Sequence, residues 1–259
     1  MHVHDLEKYL YNLKGKLNSD EGHVFGNGRM KVKGIQVSWM ATLDAIQSAH
    51  KIGANVMLVH EALFFPYPFT EKSRPEDYFT WAVNRKRAHL LSEYGIAVVR
   101  FHGTLDEICI FDDFARALGL LKPSIEEEGL VKLYDIEPTS VEEMIERVKT
   151  SLGLDLVRVT PCDLKKKVRR IGLLWGGLGL FVNVEYQQQV LRHDPDLFIA
   201  GETDSYTMHF AIDVGVVVIE TSHEISENIG LKNFTNKLKQ ELENIPIVFY
   251  ENRKPWINR

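Results

Sequence analysis

Cysteine is scarce: the 259 residues hold two, Cys109 and Cys162, far apart and in no C-x-x-C spacing. That excludes a metal site built on paired thiolates and suits a reducing compartment, with both expected to be ordinary buried or half-buried thiols. Long apolar runs are also missing, and no segment is long enough to span a bilayer. The opening stretch, MHVHDLEKYLYNLKGKL, has the pattern of an amphipathic helix with acidic residues and not of a signal sequence. A cytoplasmic protein with no membrane partner is expected. Nor is there an excess of basic charge. With 31 Lys and Arg against 36 Asp and Glu, a formal net charge of -5, no broad cationic surface is available for a phosphate backbone, so nucleic acid is not an expected partner.

What the chain does have is a 44% hydrophobic composition, enough for a sizeable core, arranged as alternating strand-type and helix-type segments. VKGIQVSWM reads as a strand, ATLDAIQSAHKIG as a helix closing on Gly53, and NVMLV as a strand again: a βαβ unit. Ser73 and Glu76 flank Pro75 in a capping arrangement that predicts a helix running toward Gly95, followed by the strand IAVVRF. The same order returns late, as DLFIAG, SYTMHFAIDVG, VVVIETS, LKNFTNKLKQELEN and IPIVFYE. Both ends of the chain are thus expected to be α/β with parallel strands. Between them, from Pro123 to Val168, a more charged stretch with its own strand, helix and strand reads as the start of a second lobe. The basic run Lys165–Arg170 is expected to face solvent on a turn and strand edge.

Three strands end in the same chemistry. NVMLV stops at His60 and Glu61; AVVRF stops at His102, with Asp106 four residues on; VVVIETS stops at His223, with Glu227 four residues on. In open parallel sheets ligands bind beyond the carboxyl ends of the strands, and residues four apart share one helical face. Two or three histidines with two or three carboxylates and no cysteine suit Zn, Mn or Fe with open positions. Five donors exceed what one tetrahedral ion needs, and two metals about 3.5–4 Å apart, bridged by a carboxylate, would use them all. His2, His4, His23, His50, His89 and His193 read as exposed helix or loop and are assigned no role. The glycines of LLWGGLGLF are expected to allow a tight turn; without a following Lys-Ser/Thr they are weak evidence for a phosphate loop.

The order of these segments resembles the Nif-three-like family (NGG-one-interacting factor three). The resemblance is carried by KGIQVSWMATLDAIQSAHKIGANVMLVHEALFF, RFHGTLDE, IGLLWGGLG, DLFIAGETDSYTMHFAIDVGVVVIETSHEISENIG and PIVFYEN, nearly the whole chain. It implies a two-lobed α/β fold with mainly parallel sheets flanked by helices. Residues 1–122 would form an N-terminal lobe with the first metal ligands, and 123–259 a second lobe and a C-terminal segment that returns ligands to an inter-lobe site. It also implies two divalent metal ions per chain (Zn, Mn, Fe or Mg), a toroidal homohexamer and a small-molecule ligand.

Position by position, the resemblance makes His60, Asp106, His223 and Glu227 metal ligands, with Glu227 or Asp106 bridging. Glu61 is the departure. The family usually reads His-His where this chain reads His-Glu, and a charged oxygen donor favours harder ions such as Mn²⁺ or Mg²⁺. His102 and His209 resemble residues that line the cavity and would transfer protons; Glu202, in GETDSY, is a further cavity candidate. A metal that activates water makes a hydrolase the leading expectation, with a GTP cyclohydrolase type 2-like label by resemblance. The alternative is a non-catalytic, metal-dependent binding, regulatory or metal-handling scaffold, which metal-dependent turnover would distinguish.

Overall fold

The computed structural model describes residues 1–67 and 75–256. Along the chain the first elements are α1 (Val3–Asn12), β1 (Gly22–Phe25), β2 (Ile35–Ser38), α2 (Leu43–Lys51), β3 (Val56–Val59), α3 (Ala82–Glu93), β4 (Ala97–Arg100) and the single turn α4 (Gly103–Leu105). There follow α5 (Phe111–Ala117), β5 (Ile125–Glu127), β6 (Val131–Ser140), α6 (Val141–Leu152), β7 (Arg158–Val159) and β8 (Lys167–Leu174). The last are α7 (Val184–Leu191), β9 (Leu197–Ala200), α8 (Ser205–Asp213), β10 (Val217–Glu220), α9 (His223–Glu241) and β11 (Ile247–Tyr250). The chain divides into two compact units, one made of Met1–Ile108 with Leu231–Arg259, the other of Cys109–Gly230. Among the described residues no helix is long and apolar enough to cross a membrane.

The first unit holds a five-stranded sheet in the order β1-β4-β3-β2-β11. Three pairings run parallel from β4 through β3 and β2 to β11, and β1 closes one edge antiparallel to β4. Every residue of β2, β3 and β4 is buried, which is why these strands read as unbroken apolar runs and not as alternation. The core includes Ala45, Ile46 and Ala49 from α2, Leu91 from α3, and Met57, Val59 and Val98 from the sheet. Thr42 caps α2 by accepting the Ala45 N–H at 3.2 Å, and Asn252 donates to that same hydroxyl at 3.1 Å, which ties the C-terminal segment to the β2–α2 turn.

The helix before Gly95 begins later than the sequence predicts. Ser73 lies outside the described residues; Pro75 and Glu76 precede a 3₁₀ turn (Tyr78–Thr80), and α3 starts at Ala82. The buried Asn84 explains the shift. Its amide donates to Tyr78 O at 2.8 Å and accepts from Phe65 N at 2.9 Å, bonds that hold the chain ahead of α3 in its non-α-helical path.

The second unit holds a six-stranded mixed sheet in the order β5-β6-β8-β9-β10-β7. Its centre, β8-β9-β10, is parallel; β5, β6 and β7 add antiparallel pairings. As a whole β8 is an inner strand. Its first half, with Lys167–Arg170, pairs only with β6, and on the open side the Asp196 carboxylate accepts the N–H groups of Arg169 and Arg170 at 2.7 and 3.0 Å.

Candidate metal centre

In the first unit three neighbouring parallel strands deliver their ends to one place. Trp39, just past β2, accepts through its carbonyl from both His60 N (3.2 Å) and Glu61 N (2.8 Å), the residues just past β3. Arg100, the last residue of β4, donates from Nε to His60 O at 3.1 Å. His60 is fully buried, and its Nδ1 lies 3.1 Å from Phe101 O. A carbonyl only accepts, so Nδ1 carries the proton and Nε2 presents a lone pair. That Nε2 faces Asp106 Oδ1 at 3.6 Å, and the His60 and His102 rings are 4.7 Å apart.

Ligand atoms of His60, His102 and Asp106 all lie within 4.8 Å of one another, a grouping able to hold a metal ion. Two lone-pair groups, an imidazole nitrogen and a carboxylate, directed at each other are stabilised by a cation between them. The donor set therefore fits a divalent ion. Glu61 is buried and offers an oxygen within 4.8 Å of His60; its carboxylate also accepts from Ala62 N at 3.3 Å.

The second unit repeats the arrangement at the ends of β8, β9 and β10. His223 opens α9, and its Nε2 lies 3.2 Å from Glu227 Oε1 one turn later, as i, i+4 spacing requires. Its Nδ1 lies 3.0 Å from Glu202 Oε2, just past β9. A ring that donates Nδ1–H to a carboxylate directs its Nε2 lone pair at the other group, the arrangement that orients metal-ligating histidines. Nearby, burial pushes the Glu220 carboxyl above its usual range, against the pull of Thr203 and Arg158, and Glu202 adds to the rise.

The backbone is shaped to this pair. Ser222 has φ +118°, a conformation that L side chains rarely adopt, and its N–H bonds Gly201 O at 2.7 Å. Gly176, at φ +54°, leaves no room for a Cβ, which would collide with the Glu227 carboxylate and come within 3.2 Å of His223 Nε2. Ser226 clamps the loop to the helix, accepting from Gly176 N at 2.8 Å and donating to His223 O at 2.7 Å.

His209 is exposed on α8 and, among the described residues, has no hydrogen bond or ion pair to Glu202, His223 or Glu227. Two groups that sequence reasoning missed stand beside His102: Asp20, 3.8 Å from its Nδ1, and Glu21, which accepts from its backbone N–H at 2.7 Å. Their only sequence signal is a pair of adjacent carboxylates in a polar turn.

Two α/β units, each with histidine and carboxylate at the ends of parallel strands, define an α/β protein with candidate divalent-metal ligands. The chain belongs to the Duf34/NIF3 (NGG1p interacting factor 3) family, which matches residues 5–255. A relative from Lactococcus lactis, named GTP cyclohydrolase 1 type 2 homolog, is 27% identical, with 77% of each chain covered. One of the same name from Chlamydia pneumoniae is 25% identical over 99% of this chain and 100% of that one. Among solved structures, the Bacillus cereus protein related to NIF3 has the same fold, with a TM-score of 0.77 at 16% identity over 100% of this chain and 99% of that one.

Proposed function

We propose that this is a dinuclear divalent-metal-binding protein that draws on His60, Glu61, Asp106, His223 and Glu227, and that it is a metal-dependent hydrolase of a small nucleotide, pterin or phosphorylated metabolite. The observation that carries the reading is the facing of His60 Nε2 and Asp106 Oδ1 at 3.6 Å while Nδ1 is committed to Phe101 O. The curated relatives' name, GTP cyclohydrolase 1 type 2 homolog, supports the substrate class. The family resemblance supports a homohexamer of cytoplasmic location, which the two half-buried thiols of Cys109 and Cys162 suit.

When bound, a divalent ion supplies an activated water at neutral pH. The residues supply the rest. His60, held by Phe101 O, keeps one tautomer; Glu202 does the same for His223; and His102, whose side chain is 23% exposed, is placed to take and return a proton from a bound molecule.

The test is anaerobic purification and elemental analysis, followed by a panel of nucleotides, pterins and phosphoesters offered to the loaded wild type and to His223→Ala. Metal-dependent turnover by the wild type alone is the expected result. If no compound is turned over while one binds tightly to both proteins, a non-catalytic binding or metal-handling scaffold replaces the hydrolase. Light scattering is expected to give about six times the 29.7 kDa chain mass.

A further inference from the structure

We propose that Glu21 is a positioning residue for the metal ligands of the first unit, acting through the backbone of His102–Thr104; this rests on the metal reading above and assigns a role to a residue outside the ligand set. Glu21 lies in a polar turn before β1, 81 residues from His102 in sequence. Its Oε1 accepts from His102 N at 2.7 Å and from Thr104 N at 2.9 Å, and its Oε2 accepts from Thr104 Oγ1 at 2.5 Å. A fourth donor, Asn18 N, reaches Oε2 at 2.6 Å. A carboxylate is the side chain with enough lone pairs to take four donors at once, and each such bond is charge-assisted.

What Glu21 holds leads directly to the ligands. The His102 carbonyl accepts from Leu105 N at 2.8 Å and from Asp106 N at 3.0 Å, so the orientation of the His102–Thr104 backbone sets the direction in which Asp106 leaves the turn. The same turn grips this segment twice more. Asn18 presses against Gly103, where a Cβ would lie 2.7 Å from its Nδ2. Asp20 is ion-paired with the buried Arg100 and stands 3.8 Å from His102 Nδ1. Both the backbone and the ring of His102 are therefore set by one loop, Asn18–Glu21, that offers no ligand to the cluster itself. Groups that orient metal ligands from outside the coordination sphere change affinity by ~10–100-fold when removed.

Glu21→Gln and Glu21→Ala separate positioning from simple stabilisation. Glutamine keeps Oε1, which takes the His102 and Thr104 amide donors, and gives up only the acceptor for Asn18 N and the Thr104 hydroxyl, whereas alanine removes every acceptor. Asn55→Ala is the control: Asn55 joins Lys33 N and Lys31 O in the same unit, away from the cluster, at 2.8 and 2.9 Å. Two measurements are needed: Mn²⁺ and Zn²⁺ affinity by competition titration, and amide hydrogen exchange at His102 and Thr104 in the metal-free protein. The expected result is at least ~10-fold weaker metal binding in Glu21→Ala, with faster exchange at both amides. Glu21→Gln should stay within ~3-fold of wild type, and Asn55→Ala should lose thermal stability with unchanged affinity. Wild-type affinity in Glu21→Ala overturns the inference and leaves the metal reading standing. A wild type that binds no metal overturns both.

Discussion

His223 Nε2 and Glu227 Oε1 stand 3.2 Å apart across the first turn of α9. Helical spacing alone brings them into register, and Glu202 on the other ring nitrogen at 3.0 Å leaves Nε2 to face Glu227. If this pair and the His60–Asp106 pair are ligands, each holds part of the metal complement. Asp106→Ala and His223→Ala are each expected to lose at least one ion per chain by elemental analysis. Chelation is expected to lower the melting temperature of the wild type, because an ion bound only by the folded chain stabilises it by mass action. Unchanged metal content in both variants would remove these residues from the ligand set.

Gly176→Ala tests how closely the loop fits the helix. The new methyl has no space beside Glu227, and φ at this position is +54°. Positive φ in a residue other than glycine, combined with the displacement of a buried carboxylate, costs ~1–3 kcal/mol. The expected outcome is a lower denaturation midpoint together with weaker metal binding. A loss of stability with metal affinity intact would mean that Glu227 moves without consequence for the site.

The strands nearest the candidate site were the most legible part of the sequence. VMLV, AVVR and VVIE are parallel strands buried on both faces, and such strands leave uninterrupted apolar runs that stop where the polar ends begin. The edge strand β1 left no comparable trace, since GHVF is short and half exposed, with a ladder that shifts register between His23 and Phe25. Glu21 was illegible for another reason. A carboxylate in a turn has the composition of a solvated loop, and only the tertiary fold shows that its partners lie at His102 and Thr104. The sequence reads Gly176 as a turn residue, which its φ agrees with, but the crowding comes from Glu227 on a helix distant in sequence and has no local signature.

A pH dependence follows from the cap of α6. Glu143 accepts from Ser140 N at 2.8 Å and Ser140 Oγ at 2.7 Å, and these bonds, with help from Lys167, lower its carboxyl from 4.5 to about 2. A depressed folded-state value contributes stability that is fully present above pH 4.5 and is lost as pH falls through about 2. The melting temperature of Glu143→Gln should lie below that of the wild type by a constant margin from about pH 5 to 7, and the two should converge on acidification toward pH 2. The margin should also shrink in high salt to the extent that Lys167 contributes, since both side chains are exposed. A margin independent of pH would show that the capping bonds do not depend on the ionised carboxyl.

Glu61 is the position at which this chain departs from the His-His pattern of the family it resembles. The structure buries its side chain and brings a carboxylate oxygen within 4.8 Å of a His60 ring nitrogen, so Glu61 is a candidate ligand. A carboxylate contributes charge and a hard oxygen where an imidazole contributes a neutral nitrogen, and the two rank metals differently: oxygen donors suit Mg²⁺ and Mn²⁺, nitrogen suits Zn²⁺ and its neighbours. Glu61→His is therefore expected to raise Zn²⁺ affinity relative to Mn²⁺, by roughly tenfold or more, in competition titrations of the purified protein. Glu61→Gln, which keeps size and one oxygen while removing the charge, is expected to weaken Mn²⁺ binding without the gain for Zn²⁺. If the Zn²⁺ to Mn²⁺ ratio is the same in wild type, Glu61→His and Glu61→Gln, the side chain points away from the ions, and the first coordination sphere has to be built without it.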